Sequence, residues 1–156
     1  MKLVIIDGQS GRMGALIAER VKAAKLPCKV LAVGTNAFAT ATMMKAGANQ
    51  GATGENPVMV ACRTADVIVG PIGILSADAL SGEITPAMAV AIGQSAAKKL
   101  LLPVNRHCGH TMVGRPGFDS VTTGGRGGGA TATPVWKNSL PCNVADQANF
   151  MNVSFC

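Results

Sequence analysis

Apolar positions along this chain come in short runs of two kinds, and their order sets the fold expectation. Leu3, Val4, Ile5 and Ile6 form a continuous apolar run that ends at Asp7-Gly8. With Lys2 in front, this predicts a strand over residues 2–6, buried on both faces. From residue 12 to residue 25 the period changes, with Met13, Leu16, Ile17 and Val21 at helical spacing while Glu19, Arg20 and Lys22 point elsewhere. An amphipathic helix is expected there, stopped by Pro27.

The alternation continues. Val30, Leu31, Ala32 and Val33 predict a second strand ending at Gly34, and residues 37–46 a second helix closed by Gly47. The stretch 47–56 (GANQGATGEN) carries too many glycines for a helix and is expected to be a loop. Residues 58–61 and 67–69 are strand candidates, with 63–66 between them too short for a crossover helix. After Gly70-Pro71-Ile72-Gly73, residues 74–80 are predicted helical and Ser81-Gly82 breaks them. Thr85-Pro86 then starts a helix over 87–99, because Thr caps free amides and Pro at the first helical position has none to lose. Leu100 to Val104 closes the sheet.

This pattern predicts an α/β fold, a Rossmann-like, doubly wound and mainly parallel sheet flanked by helices over residues 1–114. Beyond residue 108 the character changes. Gly124-Gly125-Arg126-Gly127-Gly128-Gly129 is low in complexity and no sustained period follows, so 115–156 is expected to be a glycine-rich, poorly ordered or weakly packed tail, with Trp136 and the apolar end candidates to dock.

Composition narrows the function classes. At 156 residues and 48% hydrophobic the chain suits one ordinary core, and with 3% aromatics and no Tyr that core is aliphatic. A net charge of +6 invites an anionic partner. Its distribution argues against nucleic acid: Lys22, Lys25 and Lys29 cluster at one predicted helix end and Lys98-Lys99 at another, and no aromatic stacking platform is interleaved with them. A nucleotide-type small molecule is the remaining anionic partner. The cysteines (Cys28, Cys62, Cys108, Cys142, Cys156) are odd in number and form no C-x-x-C pair, so free buried thiols are expected and no metal site. No cleavable leader precedes the glycine turn and no apolar run is long enough for a bilayer, which predicts a cytoplasmic protein with no membrane partner.

The strongest candidate chemistry is the turn Gly8-Gln9-Ser10-Gly11-Arg12-Met13-Gly14, set between strand and helix, where backbone amides and the helix dipole favour a phosphate. Its spacing is G-x-x-G-x-x-G rather than the commoner G-x-G-x-x-G, and the same turn also serves as a tight helix start without a ligand. After the second strand a dinucleotide site needs an acid for the ribose hydroxyls, or an Arg for a 2′-phosphate. Here Thr35 and Asn36 stand instead, able to bond a ribose or simply to cap the next helix. Gly70-Pro71-Ile72-Gly73 lies at another carboxyl strand end, as a ligand-approach loop or a plain turn. Asp7, Glu55 and Glu83 are the acids nearest these loops and would form an acid–base pair if two of them met.

Two resemblances attach to these residues. Gly11-Arg12-Met13-Gly14 resembles the G-R-M-G of the dihydrodipicolinate reductases, which bind a nicotinamide dinucleotide there. It covers the first strand, turn and helix, and implies NAD or NADP binding with Arg12 against a phosphate or adenine. That family's paired-histidine and lysine catalytic segment has no counterpart, since His107 and His110 are separated by Cys108-Gly109. A longer likeness covers residues 1 to 114. Val4-Ile5-Ile6-Asp7-Gly8-Gln9, Gly34-Thr35-Asn36-Ala37, Ala46-Gly47-Ala48-Asn49, Gly51-Ala52-Thr53-Gly54-Glu55-Asn56, Asp66-Val67-Ile68-Val69-Gly70-Pro71-Ile72-Gly73-Ile74 and Gly82-Glu83-Ile84-Thr85-Pro86 resemble a small bacterial family called domain of unknown function 3842. It implies a compact Rossmann-like fold with no established activity. Its members finish with a further helix, whereas this chain turns glycine-rich after Arg115.

The functional expectation is nucleotide or dinucleotide binding across the Gly8, Thr35 and Gly70 loops. As an enzyme the chain would be an NAD(P)-dependent oxidoreductase completed by a second copy, with the Met- and Ala-rich residues 39–46 able to pack a partner in a homo-oligomer. The rival is a non-catalytic structural or protein-interaction module that keeps the fold without a ligand.

Overall fold

The structure, a computed structural model, describes residues 1–102. The expectations for residues 103–156, including Pro103-Val104, both histidines, three of the cysteines, Trp136 and the glycine-rich tail, lie outside the described residues.

The described chain runs β1 (Lys2–Asp7), α1 (Arg12–Ala23), β2 (Lys29–Gly34), α2 (Ala37–Lys45), β3 (Gln50–Thr53), α3 (Glu55–Cys62), β4 (Val67–Pro71), a 3-10 turn at Ile72–Leu75, α4 (Pro86–Gln94) and β5 (Lys98–Leu102). Every strand pairing is parallel and the order is β3-β2-β1-β4-β5. This is the Rossmann-like α/β arrangement that the alternating pattern predicts. Helices α1 and α2 pack together, and α3 packs with α4. Because side chains alternate across a strand, Val4 and Ile6 of β1 join Val58, Ile68, Ile84, Met88 and Ile92 in one core. Leu3 and Ile5 face the other layer, where Ile17, Val21, Ala39 and Met43 are buried. Each buried Val, Leu, Ile or Met side chain among them contributes roughly 1.5–3 kcal/mol.

Four local expectations are corrected. Residues 47–56 are not a loop throughout: β3 adds a polar edge strand at Gln50–Thr53. A Cβ at Gly51 would sit 2.8 Å from Met44 Cγ, so glycine lets the Met44 side chain of α2 lie against the edge as it does. Residues 58–61 are helix rather than strand. Val58, Ala61 and Cys62 are the buried residues, spaced i, i+3, i+4, while Val60 is 48% exposed. The β-branched valines pull toward strand, but a parallel β3-to-β4 crossover requires a helix.

Residues 74–80 form no α-helix. The 3-10 turn ends at Leu75, and Asp78, Leu80 and Ser81 all take positive φ (63°, 55° and 60°), which no right-handed helix accommodates. Buried Ile74, Leu80 and Ile84 anchor this segment instead. Finally, α4 ends at Gln94 and β5 begins at Lys98, ahead of the expected Leu100. Ser95 turns the chain out of the helix and its hydroxyl donates to Cys62 O at 2.6 Å. Lys98 is tolerated because β5 is at the edge of the sheet among the described residues. The start of α4 is as expected: Thr85 Oγ1 accepts from Met88 N at 3.2 Å, with Pro86 at the first helical position. No helix among the described residues is long and apolar enough to cross a membrane.

Candidate functional site

The strand order reverses direction around β1: the chain steps outward to β2 and β3, then returns to the other side of β1 for β4 and β5. Loops leaving β1 and β4 therefore diverge to opposite faces at their carboxyl ends, the usual ligand position in open α/β sheets. The glycine turn stands at this position.

Its floor is built by Asp7, the last residue of β1. The carboxylate is buried at 5% exposure, with Oδ1 accepting from Gly8 N at 2.8 Å and Oδ2 from Gly14 N at 2.7 Å. Gly14 is the third residue of α1, so Asp7 caps the helix from the strand below it. Burial pushes the Asp7 carboxyl above its ordinary value; the Gly14 and Gly8 amides pull it back, and the Glu83 charge adds to the rise. Gly11 has φ +65°, and a Cβ on it would lie 2.7 Å from Ala39 Cα, so glycine is required where the turn meets α2. Gly11 N donates to Gly8 O at 2.8 Å. The amides of Ser10 and Arg12 donate to no acceptor among the described residues, and the side chains of Gln9, Ser10 and Arg12 are exposed.

The roof is Glu83. Its Oε2 accepts from Gln9 N at 2.7 Å, from the Thr35 hydroxyl, and from Asn36 Nδ2 at 3.1 Å. The acid absent from the Thr35-Asn36 position after β2 thus arrives from the distant turn before α4. A Cβ on Gly8 would sit 2.6 Å from Glu83 Oε2 and 2.7 Å from Thr35 Oγ1, so the roof closes only over glycine. Partial burial pushes the Glu83 carboxyl up, but bonds from Thr35, Gln9 and Asn36 outweigh it and hold the group below its ordinary value. Asn36 also caps α2, accepting from Ala39 N at 2.8 Å, and donates to Gln9 O at 3.0 Å. Asn36 thus takes the capping role, and both of its amide protons are engaged by the protein.

Of the three acids, Asp7 and Glu83 lie on either side of Gly8, where the charge of Glu83 bears on Asp7, whereas Glu55 accepts from the Thr85 hydroxyl. The Gly70 loop contributes less open backbone than its sequence suggests. Gly70 and Pro71 are sheet residues paired with Leu101 and Leu102, and a Cβ on Gly70 would lie 2.3 Å from Ile6 O. That glycine serves strand packing; Ile72 is half-buried and Gly73 buried in the turn beyond it. Met13 is half-buried on α1. At the opposite end of the sheet a groove of about 680 Å³ is lined by Lys2, Pro27, Cys28, Lys29, Gln50 and Asp66 among others. Cys28 is half-buried and Cys62 buried, neither bridged to a cysteine among the described residues, and burial raises both thiols, which favours their protonated form.

The sequence offers Asp7 and Glu83, with Glu55, as the acids nearest the loop ends, and the fold decides which of them reach the turn. The signal for Asp7 is an acid between an apolar strand and a glycine turn. None exists for Glu83, whose partner Thr35 is 48 residues earlier.

No curated protein and no solved structure matches the chain. One family model matches residues 2–118, three quarters of the sequence and all of the described sheet. The chain belongs to the family described as a domain of unknown function, DUF3842.

Proposed function

We propose that this protein binds a nucleotide, of the NAD(P)-like dinucleotide class, across the carboxyl ends of β1 and β2. One observation carries the reading: the glycine turn opens the first helix at the point where strand order reverses, with two amides, Ser10 N and Arg12 N, having no acceptor among the described residues. Amides in that position, at the positive end of a helix dipole, suit a phosphate. Thr35 and Asn36 stand at the end of β2, the side on which a ribose would lie. Arg12, exposed at the first position of α1, supplies the turn's cation.

A second reading rests on its own observation. Gly8, Gln9 and Gly14 already give their amides to Asp7 and Glu83, so the turn satisfies much of itself without a ligand. A protein-interaction module that keeps the shape alone would look like this.

Thermal unfolding with and without added nucleotide separates the two. A ligand at a hundred times its Kd stabilises the native state by about 2.7 kcal/mol. Binding predicts a rise of several degrees with at least one of NAD, NADP, FMN or ATP, and flat melting temperatures across all four would contradict it.

A further inference from the structure

We propose that Glu83 is the ribose-recognising carboxylate of this site and that it selects a nucleotide with a free 2′-hydroxyl over one carrying a 2′-phosphate. The inference rests on the nucleotide reading above and names which member of that class the site takes.

A ribose-binding acid must stand at the carboxyl end of β2, near the first residues of the glycine turn. Glu83 stands there, although it comes from another segment. Its Oε2 is tied to the turn through Gln9 N and to the β2 end through the Thr35 hydroxyl and Asn36 Nδ2. Three bonds to one oxygen orient the carboxylate, and Oε1 accepts from no donor among the described residues. An ionised carboxylate is an acceptor only, so a free oxygen held this way has one use at a ribose: to take the protons of its hydroxyls.

The position is also held rigidly. Leu80 is buried at 7% and Ile84 is fully buried, one on each side of Glu83, and between Asp78 and Gly82 four of five residues hold positive φ. Backbone in this region persists only where its surroundings over-determine it, and such segments gather at ligand sites. The placement is therefore built before any ligand arrives.

Charge then decides between the two dinucleotides. A 2′-phosphate would bring its negative charge against Glu83, with Asp7 a second carboxylate behind Gly8. Thr35 and Asn36, which flank Glu83, offer hydroxyl and amide groups but no cation to offset it. A 2′-hydroxyl would instead donate to Oε1. Losing a hydrogen bond to a charged acceptor and gaining a like-charge contact both weaken the phosphorylated ligand.

Isothermal titration of the full chain with NAD and with NADP tests this, in the wild type and in Glu83→Gln. The wild type should bind NAD at least about tenfold more tightly than NADP. Glu83→Gln, which keeps size and one acceptor oxygen, should weaken NAD, strengthen NADP and bring the two within about threefold. Equal affinities in the wild type, or a preference unchanged in a folded Glu83→Gln, would overturn the role of Glu83 and leave nucleotide binding standing. Binding of neither ligand would overturn the role of Glu83, and flat melting temperatures with FMN and ATP as well would overturn the nucleotide reading with it. If the variant fails to fold, the wild-type ratio decides alone.

Discussion

The two carboxylates on either side of Gly8 sit in opposite environments. Asp7, beneath the turn, is buried, caps α1 and is pushed toward its protonated form by that burial. Glu83, above the turn, is partly open, ties β1 to β2 and is held toward its ionised form by three donors. The floor is thus a folding element whose charge is a burden on the native state. The roof keeps its charge at low energetic expense and shows one oxygen without a donor among the described residues. Two carboxylates flanking one glycine acquire different work through burial and donor count, which is the means by which proteins separate acid roles within one site.

If that division is right, changes to the floor should lower stability strongly and changes to the roof should lower it little. The largest effect is expected from Gly11→Ala, which combines a left-handed φ with a Cβ pressed on the Ala39 backbone. It should lose about 3 kcal/mol or more in urea unfolding. Asp7→Ala follows, leaving the buried amides of Gly8 and Gly14 without their acceptor, at about 2 kcal/mol by the same measurement. On the roof, Gly82→Ala meets no atom within 4 Å and carries only the strain of φ +88°, so about 1 kcal/mol is expected. Thr35→Val, which removes one of three donors to Glu83, should change stability by less than about 1 kcal/mol. A roof variant that costs as much as a floor variant would break the comparison.

The pH dependence sharpens it, because the signs are opposite. Asp7 has a raised folded pKa, so its contribution to stability is full below its unfolded pKa and is lost as pH rises through the folded value. Glu83 has a lowered one, so its contribution is full above its unfolded pKa and is lost as pH falls through the folded value. Around pH 4, where both groups titrate in the unfolded chain, these slopes partly cancel. Asp7→Asn should therefore steepen the gain in stability with rising pH, and Glu83→Gln should flatten or invert it, in urea unfolding repeated across that range. Parallel curves for the two variants would contradict the assignment.

Much of the fold is legible in the sequence, because buried parallel strands and amphipathic helices write themselves as continuous or periodic apolar runs. β1, α1, β2, α2, β4 and the start of α4 are all predicted within a few residues. The failures share a cause. At β3, Gly51 is read as loop chemistry when its role is contact with Met44; at α3, Val58 and Val60 carry strand propensity that the crossover overrides; and at 76–82, positive φ at non-glycine residues leaves no trace in the letters. The candidate site divides likewise. The glycine turn is local and readable, whereas the carboxylate over it comes from Glu83, and only the packing of Leu80 and Ile84 brings it there.

The most direct test of a nucleotide lying across the carboxyl ends of β1 and β2 is an amide chemical-shift titration of the full chain with NAD. Movement is expected at Gly8, Ser10, Gly11, Arg12 and Thr35, with Lys2, Cys28 and Val30 in the groove at the amino end unmoved. Shifts confined to that groove, or none at millimolar NAD, would contradict it.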